Sequence, residues 1–232
     1  MGAHSIPPEY KENSSKYVDL ICEEMIPAIT TEKLAKYCDV FCEQGYFSKA
    51  DSKKILETGI KYGLVPRIHA DEFLDSGGAE LASIVCAASA DHLMAASDDG
   101  ISKMAKNSVI ATLLPGTTLF LGKSSYANGR KMIDMGCDVA LATDFNPGSC
   151  TIQSMPIIIT LANLYCGLTI EEAFKAVTWN AAKSLQIEKN FGSISQGYQA
   201  DLIFWNLKNI EEISYWMGSD RIQKVMKKGE II

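Results

Sequence analysis

Short apolar runs alternate with amphipathic stretches along most of the chain, a pattern that predicts βα units around a parallel sheet. Strands are predicted at 39–43, 65–69, 89–92, 109–114 and 138–144, and helices at 48–62, 79–87, 124–135, 152–166 and 169–183, with one more opened by Ser97. The run 109–114 is apolar throughout, as expected of a strand buried on both faces. The chain is therefore predicted to have an α/β fold.

Polar caps and glycines mark the ends of several predicted helices. Ser48 opens the first, Gly63 ends it, and apolar residues at 50, 55, 56, 60 and 62 form its expected buried stripe. Thr169 and two following glutamates open the last, which is expected to run to about Lys183. Pro156 fits the first turn of the helix at 152–166, because proline needs no backbone donor there.

After Gly192 the pattern changes to extended segments at 200–206, 222–226 and 229–232. These segments predict a small β unit outside the main sheet. The expected domains are a partial (β/α)8 barrel carrying the site at 1–190, and strands of a small β-sandwich at 191–232. Five strands cannot close an eight-stranded barrel, which takes about 250 residues, so upstream sequence or a partner is expected to supply the others.

Composition narrows the possible partners. The chain has 232 residues, 22 Lys and Arg, 28 Asp and Glu, and a net charge of −6, with the cations scattered. Nucleic acid is not an expected partner, because no basic patch is present. No apolar run approaches the ~20 residues of a membrane span and no signal peptide is evident, so a cytoplasmic protein without membrane contact is expected.

The seven cysteines are an odd number without Cys-x-x-Cys spacing, and most lie in apolar runs. They are expected to be reduced, buried residues. Cys150 lies beside a polar loop and is the one alternative, a nucleophile, but no histidine stands near it in the sequence.

Polar residues follow three of the predicted strands directly. His69 ends the second strand and Glu72 follows it, His92 ends the third, and Asp144 ends the fifth. Each residue taken alone is most simply a hydrogen-bonded polar group at a strand end. Together they occupy the edge where a parallel barrel carries its chemistry, and they are the residue types of a hydrolase that activates water on a divalent metal.

The segments that carry these residues resemble the amidohydrolase superfamily and, within it, the imidazolonepropionase family. The resemblance lies in Ile68-His69-Ala70-Asp71-Glu72-Phe73, Ala90-Asp91-His92-Leu93 and Ala142-Thr143-Asp144-Phe145-Asn146-Pro147-Gly148-Ser149, and it extends from 2–10 through 39–43 to 192–203. It implies the C-terminal part of a metal-dependent TIM barrel. It also implies hydrolysis of 4-imidazolone-5-propanoate to N-formimino-L-glutamate in histidine degradation by metal-activated water, one Zn²⁺ or Fe ion, and a homodimer of the full-length enzyme.

The same resemblance assigns roles to individual residues. His69 and Asp144 would bind the metal, and Glu72, His92 and Asp144 would be catalytic. The residues expected to hold the substrate are His4, Glu72, Asn146, Gly148 and Ser149. His4 has a plain alternative as an exposed residue near the terminus.

The sequence departs from the family in two respects. The superfamily's His-x-His pair at the end of its first barrel strand is absent, and no arginine suits the propanoate group. Only two metal ligands are then provided, against the usual three. Another cyclic amidohydrolase, an aminopyrimidine deaminase and a non-catalytic fragment remain alternatives, and activity of the chain alone is left open.

Overall fold

The computed structural model describes residues 2–232, and in that range the chain forms eight strands and eleven α-helices. The strands are β1 (Tyr37–Cys42), β2 (Val65–Ala70), β3 (Ser89–His92), β4 (Ile110–Leu113), β5 (Val139–Leu141), β6 (Leu202–Trp205), β7 (Ile222–Lys227) and β8 (Glu230–Ile231). The helices are α1 (Ser14–Leu20), α2 (Ile26–Thr31), α3 (Lys49–Lys61), α4 (Gly78–Ile84), α5 (Asp98–Lys106), α6 (Pro115–Phe120), α7 (Gly129–Asp134), α8 (Met155–Tyr165), α9 (Ile170–Val177), α10 (Trp179–Ser184) and α11 (Glu212–Tyr215). A π-helical turn, Ile21–Met25, joins α1 to α2. None of the helices within 2–232 is long and apolar enough to cross a membrane.

Strands β1 to β5 belong to one sheet, in the order in which they occur along the chain. Strands β1 and β2 are parallel, with Phe41 opposite His69. Strands β2 and β3 are also parallel, with His69 opposite Asp91. The predicted α/β class is therefore confirmed, and the sheet with its connecting helices matches part of a TIM-barrel fold.

Two compact units divide the chain, and the first comprises residues up to Ala111 together with Met135–Cys137. In β2, Pro66, Ile68 and Ala70 are buried, while the alternate positions, 65, 67 and 69, are partly exposed. Successive strand residues face opposite sides, so one face of β2 packs into the core and the other presents polar groups. The first unit thereby brings Arg67 and His69 to a common face of the sheet.

The second unit comprises Thr112–Asp134 and Asp138–Ile232. Asn180 on α10 donates through Nδ2 to the backbone oxygen of Val139 at 2.7 Å, which ties that helix to β5. Strands β6, β7 and β8 form a separate antiparallel sheet, as the extended segments after Gly192 predicted. The predicted domain boundary near residue 190 stays a prediction.

Several helices begin where their capping residues predicted. The hydroxyl of Ser48 accepts from the backbone N–H of Asp51 at 3.1 Å at the start of α3. Thr169 and Glu172 form a reciprocal capping box at the start of α9. Pro156 lies in the first turn of α8. These signals are local, so the sequence displays them directly.

The predicted stripe on α3 was partly wrong. Ile55 and Leu56 are fully buried, but Ile60 and Tyr62 are 43% and 45% exposed. The helix instead approaches β1 through Gly59, where an added Cβ would lie 2.8 Å from Cys38 Cβ. The buried face of the helix therefore includes Gly59 and leaves out Ile60 and Tyr62.

Three other helical predictions need correction. The predicted helix at 169–183 is two helices, because Thr178 between them adopts φ −118° and ψ −88°. The helix predicted from 124 begins at Gly129, since Asn128 Oδ1 accepts from Lys131 N at 3.0 Å and caps it there. Helix α6, which opens with Pro115 and Gly116, was not among the predicted helices.

The cysteines follow the prediction with one exception. All seven are free thiols and six are buried, whereas Cys86 is exposed at the end of α4. Cys150 is fully buried, so its thiol is packed in the interior.

Candidate functional site

In the first unit, the carboxylate of Asp39 lies between two of the predicted site histidines. Its Oδ1 lies 2.8 Å from His69 Nδ1 and 3.2 Å from His4 Nε2. The His4 and His69 rings meet edge to face, with centroids 4.4 Å apart. All three side chains are between one fifth and one third exposed. The first unit thus brings a predicted metal ligand and a predicted substrate ligand together around one carboxylate.

The pKa of Asp39 is held below its usual range. Burial alone would raise it, but hydrogen bonds from His4 and His69 and their nearby charge outweigh burial. Asp39 is therefore a carboxylate at neutral pH and acts only as an acceptor.

Glu72 and His92 form the buried part of the same cluster. Glu72 Oε2 lies 3.6 Å from His92 Nε2, and the two side chains are 7% and 3% exposed. Burial, followed by the proximity of His69, lowers the pKa of His92 to about 3. His92 is therefore a neutral imidazole at physiological pH. Its Nδ1 is buried and has no hydrogen-bond partner within the described residues.

The loop that carries Glu72 is held by two buried acids, Glu43 and Asp71. Glu43, directly after β1, accepts from Phe73 N at 2.9 Å and from Ser76 Oγ at 2.7 Å. Asp71 accepts from three backbone N–H groups at the start of α4, those of residues 76, 78 and 79, at 2.9, 2.9 and 2.8 Å. These bonds hold the backbone of the loop after β2, which carries Glu72.

Three strand ends share an unusual backbone. Asp71, His92 and Asp144 have φ of 51°, 78° and 52°. Left-handed backbone is uncommon in residues other than glycine, and it concentrates at functional sites where the surrounding structure enforces it. The loops after β2 and β3 in the first unit, and the loop after β5 in the second, are therefore each shaped to aim a side chain.

In the second unit, Asp144 follows β5 and is hydrogen-bonded to α6. Its Oδ2 accepts from Thr117 Oγ1 at 2.5 Å. A carboxylate has further lone pairs beyond the one that Thr117 occupies, so the group retains capacity for a metal ion or a proton.

Asn146 organises the loop after Asp144. Its Nδ2 donates to Asp144 O at 2.7 Å and to Ser149 Oγ at 3.0 Å, while Oδ1 accepts from Gly148 N and Ser149 N, both at 2.8 Å. The predicted substrate groups Asn146, Gly148 and Ser149 thus lie in one closed turn. Much of the hydrogen-bonding capacity of Asn146 shapes that turn.

The first unit contains nitrogen and oxygen atoms of the kinds that bind a divalent transition metal. Ligand atoms of His4, Asp39 and His69 all lie within 4.8 Å of one another. Imidazole nitrogen and carboxylate oxygen are ligands of both zinc and iron. The first unit therefore supplies residue types that fit a divalent metal ion, with Asp39 already hydrogen-bonded to both rings.

Sequence reasoning missed Asp39, Glu43 and Thr117. Asp39 is the only charged residue inside β1, and a charge within a strand of a parallel sheet was a usable signal. Glu43 and Thr117 gave no local signal, because their partners lie 30 and 27 residues away.

The chain belongs to the amidohydrolase family. The family model described as Amidohydrolase family matches residues 48–232. Over the whole chain it is 48% identical to an imidazolonepropionase from Brevibacillus brevis and 50% identical to one from Shouchella clausii, covering 54% and 52% of those proteins. The chain spans about half the length of the curated relatives it matches.

Solved structures support the same fold. A Xaa-Pro dipeptidase with methionine bound in its active site has a TM-score of 0.73 at 19% identity, covering 91% of this chain and 58% of that one. An adenosine deaminase from Xanthomonas campestris with bound zinc has a TM-score of 0.71 at 16% identity, covering 99% of this chain and 59% of that one. At these identities the likeness concerns the fold alone.

Proposed function

We propose that the chain forms part of a hydrolase that converts 4-imidazolone-5-propanoate to N-formimino-L-glutamate in histidine degradation. The observation that carries this proposal is 46–50% identity to curated imidazolonepropionases over essentially the whole chain. The aligned region includes the strand-end loops, which hold the chemistry in a barrel of this kind. The proposal includes a cytoplasmic enzyme that works as a homodimer when full-length, and these two points rest on the family resemblance.

In this proposal His69 and Asp144 bind one Zn²⁺ or Fe ion. His69 lies near the end of β2 and Asp144 follows β5, and the carboxyl ends of barrel strands are where such sites are built. When bound, the ion supplies an electrophile for the ring carbonyl and lowers the pKa of water. Asp144, already oriented by Thr117, is the residue proposed to accept a proton from that water.

Glu72 and His92 are proposed to handle the remaining proton and the carbonyl. Ring opening needs a proton donor for the departing nitrogen, and Glu72 is a buried acid suited to that task. His92, kept neutral by its depressed pKa of about 3, donates a hydrogen bond without bringing a positive charge. Their 3.6 Å separation allows the two groups to act on one substrate.

The substrate is proposed to be held by His4 and by the turn that follows Asp144. His4 reaches the cluster from the start of the chain and is aligned by Asp39. The turn formed by Asn146, Gly148 and Ser149 offers neutral polar groups suited to the edge of a planar ring.

A chimera tests the proposal while allowing for the length of the chain. The chain is grafted into the Brevibacillus brevis relative in place of the segment with which it aligns, and loss of 4-imidazolone-5-propanoate is followed by absorbance. We expect turnover in the chimera, and a loss of about 10²-fold or more on His69→Ala or Asp144→Asn. Elemental analysis should find about one zinc or iron per chimera, reduced in His69→Ala.

An exposed carboxylate provides the control. Asp19→Asn, on α1, removes a carboxylate that is 47% exposed and should leave turnover unchanged. A folded chimera that ignores the imidazolone but deaminates aminopyrimidines or opens other cyclic amides would overturn the substrate assignment. A folded chimera that is inactive on the imidazolone, the aminopyrimidines and the other cyclic amides would favour a non-catalytic role.

A further inference from the structure

Asp39 is hydrogen-bonded to both His4 and His69, although it is neither a proposed metal ligand nor a proposed substrate ligand. It lies on β1, two residues before Phe41, which is paired with His69 across the sheet. One oxygen, Oδ1, contacts both His69 Nδ1 at 2.8 Å and His4 Nε2 at 3.2 Å. A carboxylate at neutral pH only accepts hydrogen bonds, so each ring nitrogen that faces it carries the hydrogen.

This arrangement selects one tautomer for each neutral ring. His69 is protonated at Nδ1, so its lone pair is on Nε2. His4 is protonated at Nε2, so its lone pair is on Nδ1. The partner of one ring nitrogen decides the state of the other, and a carboxylate behind a metal-binding histidine orients the ring and raises its basicity.

The other nearby strand carboxylate is committed elsewhere. Asp91 is paired with His69 in the β2–β3 register, but its oxygens accept from Ser89 Oγ at 2.7 Å and from Arg67 at 3.3 to 3.4 Å. Asp39 is therefore the strand carboxylate that is hydrogen-bonded to the two histidine rings.

We infer that Asp39 is a positioning residue that fixes the tautomer and orientation of His69 and aligns His4 against it. One carboxylate then fixes the orientation of two neighbouring rings, so that His69 offers Nε2 to a metal ion and His4 contacts the substrate. The tautomer assignment rests on geometry alone, whereas its use in metal and substrate binding rests on the proposed function.

The test reads the tautomers directly in the metal-free chain. The chain has only three histidines, so long-range ¹H–¹⁵N spectra of imidazole-labelled protein are readily assigned with His4→Ala and His69→Ala variants. We expect His69 protonated at Nδ1 and His4 at Nε2 in the parent chain. Asp39→Ala should release His69 into a mixture of tautomers, while Asp39→Asn, which keeps an acceptor oxygen, should retain much of the preference.

Two controls separate positioning from general damage. Asp19→Ala removes an exposed carboxylate on α1 and should leave all three rings unchanged. If Asp39→Ala fails to give a folded spectrum, Asp39→Leu, which fills a similar volume without an acceptor atom, takes its place with the same expected release of His69. A lone pair on His69 Nδ1 in the parent chain, or an unchanged tautomer in a folded Asp39→Ala variant, would overturn the inference.

Zinc titration of the same samples then tests the consequence for metal binding. Zinc should shift the His69 Nε2 resonance, and Asp39→Ala should weaken zinc affinity by about 10- to 100-fold. A shift at His69 Nδ1 would mean that His4, Asp39 and His69 bind the ion as a group, which would overturn the inference. If the parent chain, which carries only two of the proposed metal ligands, binds no zinc, the same titration is made with the chimera, and the tautomer result still decides the positioning role.

Discussion

Buried acids in the first unit are each bound by several donors, and this determines what their replacement should cost. Glu43 accepts bonds from Gln44 N, Phe73 N and Ser76 Oγ at 2.7 to 2.9 Å. Asp71 accepts from three backbone N–H groups. Replacing such an acceptor leaves buried donors without partners, which costs more than the net contribution of the bonds themselves.

The pKa of Glu43 gives a pH-dependent prediction. Burial would raise this pKa, but the hydrogen bonds from Phe73, Ser76 and Gln44 outweigh burial and lower it. A folded pKa below the unfolded value of about 4.3 adds stability above that pH, and the stability is lost as the pH falls through the folded pKa. Glu43→Gln should lower the free energy of unfolding at pH 7 by roughly 1–3 kcal/mol, with a smaller deficit near pH 3.

Urea denaturation of both proteins at the two pH values measures this difference. Glu57→Gln on α3 removes a carboxyl that is 57% exposed and should change little at either pH. An equal deficit for Glu43→Gln at pH 7 and pH 3 would show that the lowered pKa contributes nothing to stability.

Contacts between helices and strands depend on a few close approaches. Gly59 in α3 lies against Cys38 of β1, and Gly129 at the start of α7 lies against Leu168 and Leu113. Any side chain at these positions would meet atoms already in place, so the glycines permit packing that helix propensity alone disfavours. Because glycine has no side chain, these two positions allow neighbouring elements to lie close together.

Gly59→Ala should therefore destabilise the protein even though alanine favours a helix by about 1 kcal/mol. The new Cβ would lie 2.8 Å from Cys38 Cβ and 3.0 Å from its sulfur. We expect a net loss of roughly 1–3 kcal/mol in the free energy of unfolding, measured by urea denaturation. Thr58→Ala, at the neighbouring half-buried position, should change stability by less than about 1 kcal/mol, and a Gly59→Ala protein as stable as the parent would contradict the close approach.

Burial is unevenly distributed among the strands of the whole molecule. All four residues of β3 and all four of β4 are buried. In β7, four of six residues are exposed, and both residues of β8 are exposed. Elements with little buried apolar surface open at lower free energy than core strands.

Hydrogen exchange should reveal this difference within one chain. Amides of β7 and β8 should exchange through local openings that are insensitive to low denaturant, whereas amides of β2 and β3 should exchange only on larger unfolding. Mass spectrometry of peptides from 60–95 and 218–232, sampled at increasing urea, makes the measurement. A common opening free energy for both sets would show that the small sheet unfolds together with the core strands.

Local chemistry made much of this protein predictable from its sequence. The apolar runs of β1 to β5, the caps at Ser48, Ser97 and Thr169, and the polar residues at the ends of β2, β3 and β5 all depend on neighbours within a few residues. Because these preferences act over short distances, the amino-acid sequence alone determined the alternation of strands and helices and pointed to the candidate histidines.

The remaining features depend on contacts between distant parts of the chain. The break at Thr178, the rotated face of α3 and the pairing of Thr117 with Asp144 leave no pattern in the nearby sequence. Asp39 meets His4 and His69 across 35 and 30 residues. Only the parallel register of β1 with β2, together with the path of the first residues, brings those side chains within hydrogen-bond distance, because such contacts are set by the packing of whole elements.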